Sequence, residues 1–241
     1  MVVSSLLCLL PALLATASAQ GTLTCNVCLG PTETCDLVKG TCQDDPATGG
    51  CLSVVEDISL GGIKQTFFSK QCLSSYNSDI KGPFSFTVGK DQYVRINVLQ
   101  CNTDLCNSAV PQVPMDPTPN GWQCPTCFAL DTYFCDGEIM PCTGLETDCL
   151  SYNGELIQGS SRSWFGAKGC VSKSNPELVP GTTVKTTSST IQFYFGETFP
   201  ATPAPSTSPT THTNLKTPVA EEQAPPETHV GGKTFGSDNL I

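Results

Sequence analysis

Cysteine is the most abundant residue type in this chain that could bind a metal or do redox chemistry. The chain has 15 cysteines among 241 residues. Two Cys-x-x-Cys pairs, Cys25/Cys28 and Cys124/Cys127, have the local spacing of a zinc site or a thiol redox site. Zinc ribbons place their two pairs within about 20 residues of each other, whereas here further cysteines lie between them. No βαβ pattern typical of a redox site surrounds either pair. We therefore expect structural disulfides, with no metal and no cofactor.

Carboxylates are the second group that could perform chemistry. Five acidic residues lie close together in the sequence: Asp131, Asp136, Glu138, Glu146 and Asp148. Paired carboxyls act as acid and base in glycoside hydrolysis, but that reaction needs a groove in which one carboxyl is desolvated. A small disulfide-stapled module has little interior to supply such a groove. Catalysis by this cluster is therefore the less favoured interpretation.

Histidine, the commonest catalytic base, falls outside the candidate folded region. The two histidines, His212 and His229, both lie in a C-terminal stretch rich in Pro, Ser and Thr. The preceding part of the chain therefore cannot build a Ser–His–Asp triad, a Cys–His pair or a histidine-containing metal site. We expect no catalytic residues.

The N-terminus indicates export, which agrees with the cysteine content. Residues 2–14 are apolar and uncharged, and Ala17-Ser18-Ala19 matches a signal-peptidase site. A membrane anchor is the alternative interpretation of that run. Cleavage near Gln20 would remove Cys8 and leave 14 of the 15 cysteines, enough for seven bridges. We expect a secreted protein, without a glycolipid anchor because no apolar stretch closes the chain.

The remaining cysteines reveal an internal repeat. Cys25, Cys28, Cys35, Cys42, Cys51 and Cys72 are separated by 2, 6, 6, 8 and 20 residues. Cys124, Cys127, Cys135, Cys142, Cys149 and Cys170 are separated by 2, 7, 6, 6 and 20 residues. Agreement within two residues at every gap indicates a duplicated module.

The elements that position these cysteines are predicted to be strands. Phe84, Phe86 and Val88 alternate with small or polar residues, and residues 93–98 continue as the second strand of a hairpin. Ile191, Phe193 and Phe195 alternate in the same way near the end of the second copy. We predict an all-β, disulfide-rich fold of two tandem modules, each near the size at which a core alone is marginal.

Composition divides the chain into five segments. Residues 109–121 contain four prolines and are predicted to be a semi-rigid linker. The Pro/Ser/Thr-rich end is predicted to be disordered and is a candidate for O-linked sugar. The predicted segments are a signal peptide at 1–19, a first module at 20–108, the linker at 109–121, a second module at 122–199 and a tail at 200–241.

Charge narrows the class of partner. The formal net charge is -10, which argues against nucleic acid because its phosphates require clustered Lys and Arg. Residues 109–161 contain seven acidic residues and no Lys or Arg. Such a stretch favours a basic protein partner, although the same charges also keep a secreted protein soluble.

The six-cysteine series and the ending Cys101-Asn-Thr-Asp-Leu-Cys106-Asn107 resemble the lymphocyte-antigen-6/urokinase-receptor domain, a three-finger β fold. The resemblance implies that Asn107 is a buried residue whose amide bonds the finger backbones. It also implies specific disulfides. These are Cys25–Cys51, Cys28–Cys35, Cys42–Cys72 and Cys101–Cys106 in the first module, and Cys124–Cys149, Cys127–Cys135 and Cys142–Cys170 in the second.

The second module departs from this pattern because no cysteine follows Cys170. Its Cys-x4-Cys-Asn closure is missing, so we expect its last strand, around residues 190–195, to be held more weakly.

Two linked modules in a secreted chain look most like the gamma-type phospholipase A2 inhibitors of reptile plasma. The resemblance implies a non-enzymatic protein that binds a secreted phospholipase A2, many of which are basic, and leaves homo- or hetero-oligomerisation open. Partner binding is assigned to the first two fingers of the second module, which carry the five acidic residues above. The candidate apolar anchors there are Phe128, Tyr133, Phe134, Ile139 and Met140. The alternative is a urokinase-receptor-like ligand, adhesion or signalling protein, including the pheromone-like amphibian relatives.

Overall fold

The computed structural model describes residues 21–113, 116–174 and 176–205. The predicted signal peptide, 1–19, lies outside these residues, as does the predicted tail beyond Pro205. The described chain is almost entirely β-structure, so the predicted fold class is confirmed. No helix among the described residues is long and apolar enough to cross a membrane.

The first module consists of three hairpins, the fingers of the fold. Its strands are β1 (Leu23–Gly30), β2 (Val38–Asp44), β3 (Cys51–Leu60), β4 (Ile63–Cys72), β5 (Phe84–Gly89) and β6 (Gln92–Cys101). The predicted hairpin is present as β5 and β6. Phe84, Phe86 and Val88 all point into the core because successive residues of a strand alternate between its faces.

The second module repeats this arrangement with longer central strands. Its strands are β7 (Pro119–Leu130), β8 (Glu138–Thr143), β9 (Glu146–Gln158), β10 (Ser161–Ser172), β11 (Thr183–Lys185), β12 (Thr190–Pro200) and β13 (Thr202–Pro203). Strands β9 and β10 form the long central finger, and β12 pairs with the outer edge of β9.

The two modules are joined edge to edge. The main strand order is β11-β12-β9-β10-β5-β6-β3-β4-β1-β2, so β10 of the second module pairs with β5 of the first. That junction is short, with Cys170 opposite Thr87 and Val171 opposite Phe86. Gly169 is required beside it, because a Cβ there would lie 2.1 Å from the carbonyl oxygen of Thr87. The modules therefore share one continuous sheet.

One hydrophobic core serves both modules. Leu52, Phe84 and Ile96 from the first module lie in the same buried cluster as Tyr152 and Phe193 from the second. Every residue of β3 is buried because both faces of that strand are covered. Because a domain of this size buries too little apolar surface alone, the shared core adds stability that separate modules would lack.

The segment between the modules differs from the predicted linker. Strand β7 begins at Pro119, inside the predicted range 109–121. The start of that range lies on the first module, where Val110 and Val113 pack against a cluster that includes Phe68. Ser53 donates a hydrogen bond of 2.7 Å to the carbonyl of Ala109. The proline count predicted an extended backbone but not the surface that holds it.

The end of the second module also extends beyond its predicted boundary at residue 199. Strand β12 continues to Pro200, and β13 pairs with β7. Ala201 is buried against Cys124, Cys142, Cys149 and Cys170. The segment from the end of β12 through Ala201 to β13 thus occupies the place of the missing cysteine closure. Strand β12 is therefore paired along its length with β9, which differs from the weakly held strand expected from the missing cysteines.

Candidate functional site

Seven disulfides hold the bases of the fingers, and they join the same pairs that the family resemblance implies. The two cysteines of each Cys-x-x-Cys pair bond to different partners, as in Cys25–Cys51 and Cys28–Cys35. Sulfur atoms of three cysteines cluster in each module, but all of them belong to disulfides. A cysteine binds a metal ion as a thiolate, and a disulfide-bonded sulfur is not one. These clusters are therefore structural crosslinks.

Asn107 ties the closing segment of the first module to two strands. Its Oδ1 accepts a 2.9 Å hydrogen bond from the backbone N–H of Asn26. Its Nδ2 donates bonds of 2.9 Å to the carbonyls of Asn26 and Leu52. The side chain is buried, so these bonds are shielded from water.

Three of the five predicted acidic residues are exposed together on the first finger of the second module. Asp131 directly follows β7, Asp136 lies in the following loop, and Glu138 begins β8. Asp131 adopts a left-handed backbone with φ of 58°, and its N–H donates 2.7 Å to the carbonyl of Trp164. The Cys127–Cys135 disulfide closes the same loop. The finger therefore presents its acidic residues from a fixed backbone.

Glu146 is a correction to the predicted acidic set, because its side chain is only 1% exposed and cannot contact a partner. Its Oε1 accepts a 2.9 Å hydrogen bond from the hydroxyl of Thr87 in the first module. Burial raises the pKa of this carboxyl to about 7, against the opposing effects of the Thr87 bond and of Arg95. Asp148 is half-buried beside β12, so it is less accessible to solvent than the exposed three.

A cleft of about 900 Å³ lies at this junction between the modules. Residues of both modules line it, including Ser85 and Arg95 from the first and Glu146 and Lys173 from the second. The sequence could not indicate this burial of Glu146, because the covering surface comes from strands about 60 residues away in the chain.

The predicted apolar anchors divide into two groups. Phe128 packs against the core, with its ring 5.8 Å from that of Phe165, so its role is structural. Met140 is half-buried, whereas Tyr133, Phe134 and Ile139 are exposed. The exposed three are therefore the most accessible to a partner.

Two aromatic side chains at the surface escaped the sequence-based prediction. Trp164 on β10 lies 5.4 Å from the ring of Tyr133 and 5.7 Å from the ring of Tyr194 on β12. We call Tyr133, Phe134, Trp164 and Tyr194 the aromatic row. The available signal was strand alternation, since Trp164 precedes the buried Phe165 and Tyr194 follows the buried Phe193.

Comparison with known proteins places this geometry in context. The u-PAR/Ly-6 domain family matches residues 21–109 and 120–197, one match for each module. A gamma-type phospholipase A2 inhibitor of Laticauda semifasciata is 28% identical over 158 residues, which cover 63% of this chain and 83% of the relative. The 31 kDa subunit of a phospholipase A2 inhibitor of Naja kaouthia is 30% identical over 154 residues, which cover 61% of this chain and 80% of the relative.

Among solved structures, the crystal structure of mouse TEX101 is similar over 73% of this chain and 99% of its own. The sequence identity is 21% and the TM-score is 0.31.

Proposed function

The chain belongs to the u-PAR/Ly-6 domain family, and within that family we propose that it is a secreted, non-enzymatic inhibitor that binds a secreted phospholipase A2. The observation that carries the proposal is the similarity to two snake phospholipase A2 inhibitors, which extends over at least 80% of each of them. Such coverage includes both modules, so the shared feature is the two-module arrangement rather than one domain.

The charge of the chain supports a basic partner. The formal net charge is -10, and Asp131, Asp136 and Glu138 are exposed together on one finger. Opposite charge on a partner accelerates encounter, and the acceleration weakens as salt screens the field. Basic members of the secreted phospholipase A2 class are therefore the proposed targets.

The rigidity of the module supports binding through the fingers. Disulfides fix the bases of the fingers, and Cys127–Cys135 fixes the loop that bears Asp131 and Asp136. A surface that is ordered before binding loses little conformational entropy when the complex forms. Finger loops on a rigid base are thus suited to stoichiometric inhibition.

An inhibition titration against a panel of basic and acidic secreted phospholipases A2 tests the proposal. We expect a stoichiometric end point with at least one basic enzyme, at an inhibitor concentration that does not depend on the amount of lipid substrate. The reduced and alkylated protein serves as the control, because it keeps the charge but loses the fingers. No complex with any enzyme at micromolar concentration would contradict the proposal and favour an adhesion or signalling ligand.

A further inference from the structure

The aromatic row on the second module is too exposed and too contiguous to be part of the core. Phe134 is 86% exposed, and Tyr133 and Trp164 are each 44% exposed. Single exposed apolar residues are common on protein surfaces, but contiguous ones mark interaction sites.

We infer that the aromatic row is the energetic anchor of a docking surface for a basic protein, whose Arg and Lys side chains stack on its rings. The identity of that protein as a secreted phospholipase A2 rests on the proposed function, but the assignment of the surface does not. Aromatic side chains at the centre of an interface contribute a large share of its binding energy. Guanidinium and ammonium groups are attracted to the faces of exposed rings.

The row is held in place before any partner arrives. Trp164 lies between Tyr133 and Tyr194, with ring centroids 5.4 and 5.7 Å away. The loop bearing Tyr133 and Phe134 lies directly on β10 at Gly166, where a Cβ would come within 2.8 Å of the Tyr133 backbone. Because the rings are already ordered, stacking by a partner needs little rearrangement.

Local charge selects a cationic partner. Glu155 forms a 3.0 Å salt bridge with Arg162, which compensates its charge. It also accepts a 3.3 Å hydrogen bond from the hydroxyl of Tyr194. Asp131 and Asp136 have no ion-pair partner within residues 21–113, 116–174 and 176–205. The uncompensated charge beside the row is therefore negative, which favours the cationic side chains that also stack on aromatic rings.

The test measures binding to a basic secreted phospholipase A2 by surface plasmon resonance. The variants are Phe134→Ser and Trp164→Thr, and Leu37→Ser is the matched control because Leu37 is an exposed apolar residue of the first module. We expect Trp164→Thr to raise Kd by about tenfold or more, mainly through faster dissociation. Leu37→Ser should leave Kd unchanged. Unfolding in urea verifies that each variant retains the native fold.

A second measurement does not depend on the phospholipase. The chain has two tryptophans, so Trp122→Phe leaves Trp164 as the sole source of tryptophan fluorescence. Titration with an octa-arginine peptide should change the emission of Trp164 saturably, and Phe134→Ser should weaken the binding several-fold.

The outcomes separate the two proposals. If the protein binds a phospholipase and the variants of the aromatic row bind it equally well, the docking role of the row is overturned while the proposed function stands. If no phospholipase binds, the proposed function fails and the peptide titration decides: saturable binding supports the row, and its absence overturns it. Concentration-dependent self-association that Trp164→Thr abolishes would assign the row to a second copy of this chain and overturn the inference.

Discussion

Thr87 and Glu146 belong to different modules, and the hydroxyl of Thr87 donates a 2.9 Å hydrogen bond to Oε1 of Glu146. The other carboxyl oxygen, Oε2, is buried without a hydrogen-bond partner among the described residues. A second carboxyl spans the junction elsewhere, where Oε2 of Glu56 accepts 2.7 Å from the N–H of Thr187. The interface between the modules thus contains buried carboxyls as well as apolar side chains, so its stability depends on pH.

The first prediction concerns this pH dependence. The pKa of Glu146 is about 7 in the folded protein against 4.5 without burial. Between these values the unfolded chain loses a proton that the folded protein keeps, so the contribution of Glu146 to the stability of the wild type falls as pH rises from 4.5 to 7. Glu146→Gln cannot ionise. Its stability relative to the wild type should rise by roughly 3 kcal/mol between pH 4.5 and 8.

Urea unfolding of the wild type and Glu146→Gln at pH 4.5 and pH 8 measures this difference. The other charged residues of the cleft, Arg95, Asp116 and Lys173, are the same in both proteins. Burial also raises the pKa of Glu56, and that contribution likewise cancels in the comparison. Parallel stability profiles for the two proteins would contradict the buried position of the Glu146 carboxyl.

Residues 84–98 illustrate what the sequence alone could predict. Apolar alternation located the β5–β6 hairpin and its buried face, because each strand packs one face on the core. The same logic failed at Phe195, which is 71% exposed. A register shift in the β9–β12 pairing between Phe193 and Phe195 turns that side chain outward. Alternation cannot reveal a bulge, because the bulge arises from the partner strand.

Glu146 shows a second limit. In the sequence it belongs to an acidic stretch with no Lys or Arg, which predicts exposure to solvent. Its burial requires the first module to pack against the connection between β8 and β9, and no local pattern encodes that contact. The aromatic row was partly missed for the same reason, since Trp164 and Tyr133 meet only after β10 pairs with β7.

The second prediction concerns electrostatic steering by the acidic finger. Replacing Asp136 and Glu138 together by Lys should slow association with a basic phospholipase A2 by about tenfold at low salt, and much less at high salt. Replacing Glu33 and Asp36 by Lys makes the same change in net charge on the first module and is the matched control. Stopped-flow association rates at several salt concentrations measure both. Equal slowing by the two double variants would attribute the effect to net charge alone.

The third prediction concerns Asn107 as the closure of the first module. Asn107→Ala leaves the N–H of Asn26 and the carbonyls of Asn26 and Leu52 without their partner. Because these groups are buried or half-buried, the free energy of unfolding should fall by about 3 kcal/mol. Asn102→Ala removes an exposed amide from the same loop and should change the free energy of unfolding little. Chemical denaturation of the three proteins gives the comparison, and similar values for both variants would refute the role of Asn107.

The fourth prediction concerns Ala201, which covers the disulfides of the second module where the first has its cysteine closure. The N–H of Ala201 donates to the carbonyl of Thr147, and its side chain lies against four cysteines. Ala201→Asp would bury a carboxylate there and lower the free energy of unfolding by roughly 2 kcal/mol or more. It should also expose the Cys142–Cys170 disulfide to reductants.

Mass spectrometry during timed reduction and alkylation measures that exposure. Cys142–Cys170 and Cys124–Cys149 should be reduced faster in Ala201→Asp than in the wild type, whereas Pro205→Asp, at an exposed position, should leave both rates unchanged. The first-module bridge Cys42–Cys72 provides an internal control because Ala201 does not contact it. Faster reduction in the second module alone would establish residues 199–204 as its closure. Unchanged rates would mean that the pairing of β12 with β9 is enough to hold the module shut.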